Sequence, residues 1–162
     1  MTMIDVGPCE ALWIEQITSP GLFLPFGEHD DEACLCLPDG EGVVAILLSG
    51  EWIYHSDPIA NLSNRKGLLI PDVEIRADLD ARIDDSHSKF GVIVRSEGVY
   101  GIRTRRAPQG SGFTHTLIVQ ANGGEPQFVQ NAVRVAFPKW EIGKLIDEKW
   151  VTLWSVSIEQ NA

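Results

Sequence analysis

The chain has no apolar run long enough to cross a bilayer. A helical span needs about 18–20 such residues, and the longest stretch here, Val43 to Leu48, ends at Ser49 and Gly50. Met1 to Glu10 carries acids and a proline instead of a basic leader, so the expected location is cytoplasmic, with no membrane partner. Cysteine is scarce and odd in number: Cys9, Cys34 and Cys36 offer no disulfide framework, and Cys34-Leu35-Cys36 lacks the spacer and the second pair used by zinc and thiol redox sites.

Local ligand pairs are also missing. His29, His55, His87 and His115 are each separated by about 30 positions, so a metal site would need the fold to gather them, and no metal or cofactor is expected. G-x-S-x-G, P-loop and dinucleotide fingerprints are absent, and Gly110-Ser111-Gly112 has no strand and helix around it, which leaves nucleophilic and nucleotide-dependent chemistry without support. Asp78 and Asp80 share a strand face, but it is the polar face of an amphipathic segment, where solvation accounts for them. Helix formers are interrupted throughout by 15 Gly and 9 Pro. Only Lys139 to Lys149, broken by Gly143 alone, allows one short helix.

What is present is ordinary globular usage, 44% hydrophobic and 22% charged over 162 residues, the size of a single domain spanning 1–162. Val73, Ile75, Ala77 and Leu79 alternate with Glu74, Arg76, Asp78 and Asp80, the period of a half-buried strand. In the C-terminal run Trp150, Thr152, Trp154, Val156 and Ile158 share one face, which places Trp150 and Trp154 in the core. Ser49-Gly50 reads as a hairpin turn between Val43–Leu48 and Glu51–His55. Glu97-Gly98 reads likewise between Phe90–Ser96 and Val99–Arg105, and Asn122 to Glu125 between Phe113–Ala121 and Gln127–Gln130. Further strands are expected at Leu12–Thr18, Cys34–Leu37 and Val133–Phe137, with loops at Ser19–Asp31, Ser56–Lys66 and Ala107–Gly112. The expectation is a mainly β fold, an antiparallel β-sandwich or a curved barrel-like sheet of roughly nine to eleven strands.

Thirteen basic against twenty-three acidic residues give a net charge of −10, which repels phosphate backbones, so nucleic acid is not an expected partner. The charge is uneven: residues 1–89 hold 17 acidic and 5 basic residues, a balance of −12, and residues 90–162 hold 6 and 8, a balance of +2. Glu28, His29, Asp30, Asp31 and Glu32 form the densest acidic loop, and like charges so close in sequence suit a basic protein partner better than a core. Arg103, Arg105 and Arg106 are the one concentrated basic feature. Arg103 and Arg105 share a strand side, where two guanidinium forks can hold an anion or pair with neighbouring acidic strands.

Three functions follow from these features. The first is a small acidic, non-catalytic protein-binding domain, of an inhibitor or immunity-like kind, that recognises a basic partner. The second is a small enzyme or ligand-binding β-barrel, with His115, Arg103 and tryptophans converging at its mouth. The third is a homo-oligomeric assembly component joined through strand edges and aromatic residues. The lack of any catalytic motif favours the non-enzymatic readings.

Overall fold

The computed structural model describes residues 7–40, 42–84, 89–96, 98–106, 115–120, 127–128 and 135–159. The chain is mainly β. It opens with β1 (Glu10–Trp13), β2 (Gly21–Pro25), β3 (Cys34–Pro38), β4 (Val43–Leu47), β5 (Ser56–Pro58) and β6 (Lys66–Pro71). These form one antiparallel sheet in the order β1-β6-β2-β3-β4-β5. The chain then places β7 (Glu74–Ala77) in a separate sheet and continues through β8 (Ile83–Asp84), β9 (Ile93–Ser96), β10 (Val99–Arg106), β11 (His115–Gln120), β12 (Gln127–Phe128) and β13 (Val135–Phe137). That second sheet has the order β12-β11-β10-β9-β13-β8. Finally β14 (Lys139–Ile146) and β15 (Lys149–Ser157) join β7 in a three-stranded sheet ordered β15-β14-β7.

All three sheets are open among the described residues, so the barrel alternative gives way to packed layers. Among the described residues the strands number fifteen, more than the roughly nine to eleven expected, the additions being β2, β5, β6, β8 and β14. No helix among the described residues is long and apolar enough to cross a membrane.

The central strands β2, β3, β4 and β6 of the first sheet are covered on both faces. Leu22, Leu35, Leu37, Val44, Ile46 and Ile70 face a core shared with Ile93, Ile102 and Phe137 of the second sheet and Trp140, Ile142 and Val156 of the third. On their other face Phe23, Cys34, Cys36, Ala45, Leu47 and Leu69 are covered by Ile14 and Leu62 of two short 3-10 turns. Strands buried on both sides lose polar alternation and read as continuous apolar runs, as Cys34–Leu37 and Val43–Leu47 do. This is why β2 was hidden inside the expected loop Ser19–Asp31. Leu22-Phe23-Leu24 lies between Pro20 and Pro25 and does not alternate.

The helix expected at Lys139–Lys149 does not form. β14 and β15 make a hairpin there, turned by Asp147 and Glu148 at φ 51° and 63°. Two positive φ values in a two-residue turn match the twist of paired strands, but Asp-Glu is not the usual Asn-Gly signal. Lys139 and Trp140 alternate out and in, and pairing with both β15 and β7 overrides the helix formers.

The β9–β10 hairpin has the expected register, Ser96 opposite Val99, with Glu97 outside the described residues. β11 pairs with β12 through Leu117 and Phe128, while Asn122 to Glu125 lies outside the described residues. Glu51–His55 is a turn instead of a strand. Ser56–Pro58 supplies the return strand at the sheet edge, where Pro58 withholds no ladder donor from a further strand.

A bulge between Ile142 and Gly143 changes the C-terminal strand. Ile142 lies opposite Trp154 and Gly143 opposite Thr152, so Leu153 is an extra residue and the facing pattern shifts across it. Trp154 packs against the core. Trp150 instead lies over Gly143 on the outer face, contrary to the expectation that both tryptophans point inward, and its Nε1 donates to Glu141 Oε1 at 2.5 Å.

Candidate functional site

The two charged features singled out in the sequence lie on opposite sides of one turn. Residues 49–55 leave β4 and return to β5 through a tight loop in which Ile53 N donates to Gly50 O and His55 N to Trp52 O. Tyr54 sits at φ 64°, a left-handed conformation that a bulky residue adopts only when its surroundings enforce it. Here they do: Tyr54 N donates to Leu47 O at 2.7 Å and Leu47 N to His55 O at 2.9 Å. Tyr54 O accepts from Arg105 N at 2.9 Å, and the ring covers Gly91, where a Cβ would stand 2.8 Å from ring carbons. Burial of the ring raises the Tyr54 phenol above its ordinary value.

On one side of this turn is the acidic loop. Ser49 Oγ donates to Asp31 O at 2.5 Å and accepts from Ala33 N at 3.1 Å, and Leu48 N donates to Ala33 O. Glu28, Asp30 and Asp31 are exposed. Glu32 is not equivalent to them: it turns inward, and its Oε2 accepts from Arg65 Nε at 3.1 Å and Arg65 Nη2 at 2.9 Å, with His29 Nδ1 at 3.0 Å. The side chains of Arg65 and Glu32 are 13% and 15% exposed, so this carboxylate fixes the loop from beneath while its three neighbours face solvent.

On the other side is β10. A parallel bridge links His55 to Arg105, and the Arg105 guanidinium carbon stands 4.2 Å over the Phe90 ring, a favourable cation–π arrangement. Arg103 is half-buried on the same strand, its N bonded to Val92 O. Arg106 lies opposite His115 in the ladder with its side chain outside the described residues. His87 is outside them too.

At the tip of the turn Trp52 is 54% and Ile53 40% exposed, and the Trp52 ring meets His55 edge-on at 5.2 Å. Phe26, 53% exposed, precedes the acidic loop and is held by Phe26 N donating to Lys66 O. Sequence reasoning missed this tip because it assigned Glu51–His55 to a strand. The available signal was the uninterrupted Trp52-Ile53-Tyr54, which no half-buried strand alternation accommodates.

The buried thiols Cys34 and Cys36 offer no reactive centre. Burial pushes Cys34 up to about 12 and Cys36 well above the ordinary 9.0, and thiolate chemistry requires the opposite shift. Among the described residues no three His, Cys, Asp or Glu side chains converge on a metal-sized site.

The fold and this surface together define an all-β protein that presents an aromatic-tipped turn beside exposed carboxylates. The model of a family described as uncharacterised protein y4lG matches residues 13–162, and the chain belongs to that family. No curated protein and no solved structure matches it.

Proposed function

We propose that this is a non-catalytic protein-binding domain, of an inhibitor or immunity-like kind, that recognises a basic partner through the Trp52–Ile53 tip and the neighbouring carboxylates. The observation that carries the reading is the exposure of Trp52 and Ile53 on a turn held in a strained conformation by four contacts. Large apolar groups kept in water on a rigid support lose little entropy when a partner covers them, and tryptophan is enriched at the energetic centres of interfaces. Glu28, Asp30, Asp31 and Glu51 are exposed around the paired turns and supply the field that steers a cationic surface.

The test isolates partners from native extract with wild-type protein and compares binding of Trp52→Ala and of a Glu28→Gln/Asp30→Asn/Asp31→Asn variant. Trp52→Ala is expected to weaken binding by about 30-fold or more, the loss of a hot spot worth about 2 kcal/mol. The neutralised variant is expected to associate more slowly at low salt and to match wild type at high salt. Equal capture and equal rates for all three proteins would exclude this surface.

A further inference from the structure

We infer that a second copy of the chain pairs with β7, joining the two three-stranded sheets into one six-stranded antiparallel sheet across a two-fold axis at Ile75. β7 ends its sheet, with β14 on one side and no strand among the described residues on the other. Asp78 N donates to Lys139 O, and Arg76 lies opposite Glu141 and Glu74 opposite Gly143. In an antiparallel ladder the bonded positions alternate, so the backbone groups of residues 74, 76 and 78 point to β14. The N–H and C=O of Ile75 and Ala77 therefore point to the open edge.

The edge is self-complementary. With Ile75 opposite Ile75 of the second copy, Glu74 of each chain faces Arg76 of the other and Val73 faces Ala77. Open edges are commonly guarded by charge of one sign, which repels a second copy; an acid and a base two positions apart attract one in this register. Arg76 is already held for that contact, its guanidinium 3.8 Å over the Trp150 ring and 3.8 Å from Glu74 Oε2 of its own chain.

Space for the incoming strand exists on the inner side. Two clefts meet at Ile75, one of about 450 Å³ that runs past Ala77 to Ile93 and Ile102, the other of about 410 Å³ that runs past Val73 to Leu35 and Leu37. Directly opposed residues point to the same sheet face, so Val73, Ile75 and Ala77 of the second copy enter these apolar clefts. At the rim Leu79 and Tyr100, 62% and 38% exposed, become covered.

Sedimentation of the full chain over a concentration series tests this. Wild type is expected to dimerise. Glu74→Arg puts like charges opposite each other at both ends of the register and is expected to weaken dimerisation on the order of tenfold or more; Arg76→Glu does the same. An equal mixture of the two single variants restores every charge pair and is expected to dimerise again. Ala77→Pro removes an N–H aimed at the open edge without touching the β14 ladder and is expected to be monomeric with an unchanged far-ultraviolet spectrum. If that variant misfolds, the charge-swap mixture still decides. A wild-type monomer at all concentrations, or a dimer indifferent to the charge variants, overturns the inference.

Discussion

Ser56 Oγ and Thr104 Oγ1 lie 2.7 Å apart with their residues 1% and 0% exposed, and they join the edge strand β5 of the first sheet to β10 of the second. The adjoining contacts, Arg105 N to Tyr54 O and the His55–Arg105 bridge, hold the 49–55 turn against the same strand. Two buried hydroxyls satisfy each other where apolar side chains would make no directional link. Ser56→Ala is expected to cost about 1–2 kcal/mol in urea unfolding, because a buried hydroxyl loses a bond. Ser56→Ala/Thr104→Val is expected to cost less than the two single changes together. Additive losses would show that the pair does not act as a unit.

Glu32 and its three acidic neighbours are expected to separate cleanly. Glu32→Gln removes the charge that Arg65 meets in a mostly buried setting and is expected to destabilise by about 2 kcal/mol, the scale of a lost charge-assisted bond with a residual unpaired charge. Neutralising Glu28, Asp30 and Asp31 together is expected to change stability by about 0.5 kcal/mol or less. Equal effects on the denaturation midpoint would contradict the inward placement of Glu32.

The buried thiols give stability a pH dependence with a definite sign. Burial raises Cys34 from 9.0 to about 12 and holds Cys36 well above 9.0, so the folded state keeps both protons while the unfolded state releases them above about pH 9. Their contribution is complete below pH 9 and is lost as pH rises toward 12, with a slope of about 1.4 kcal/mol per pH unit per thiol. Denaturation midpoints of wild type and Cys34→Ala/Cys36→Ala, compared from pH 8 to 10.5, are expected to converge as pH rises. In the native state Cys9, which is exposed, is expected to react with a thiol reagent far faster than the other two.

Much of the strand framework was legible because period-two alternation survives wherever one face is wet, as at Glu74–Ala77, and because Glu97-Gly98 is a strong turn signal. β2 and β6 were not legible, since a sheet covered on both faces erases that alternation. The acidic loop was found by composition, but the inward turn of Glu32 depends on Arg65, 33 residues away. No local pattern records that pairing. The same limit hid that the acidic loop and Arg105 each contact the turn that carries Trp52.

The bulge in β14–β15 makes the last expectation. Gly143 has no ordinary space for a side chain: a Cβ there would overlap the Val151 carbonyl and the Trp150 indole. The indole is fixed in turn by Glu141 and Arg76, so it covers the bare backbone and links all three strands of the third sheet. Gly143→Ala is expected to destabilise by about 1–3 kcal/mol through overpacking, and Trp150 emission is expected to shift to longer wavelength as the ring is displaced toward water. Trp150→Ala removes one of the two overlaps, so the alanine at 143 is expected to cost less in that background than in wild type. The Val151 carbonyl remains, and some cost with it. If Gly143→Ala costs the same with and without the indole, the ring does not pack on Gly143, and Trp150 belongs on the inner face that simple alternation along the strand assigns to it.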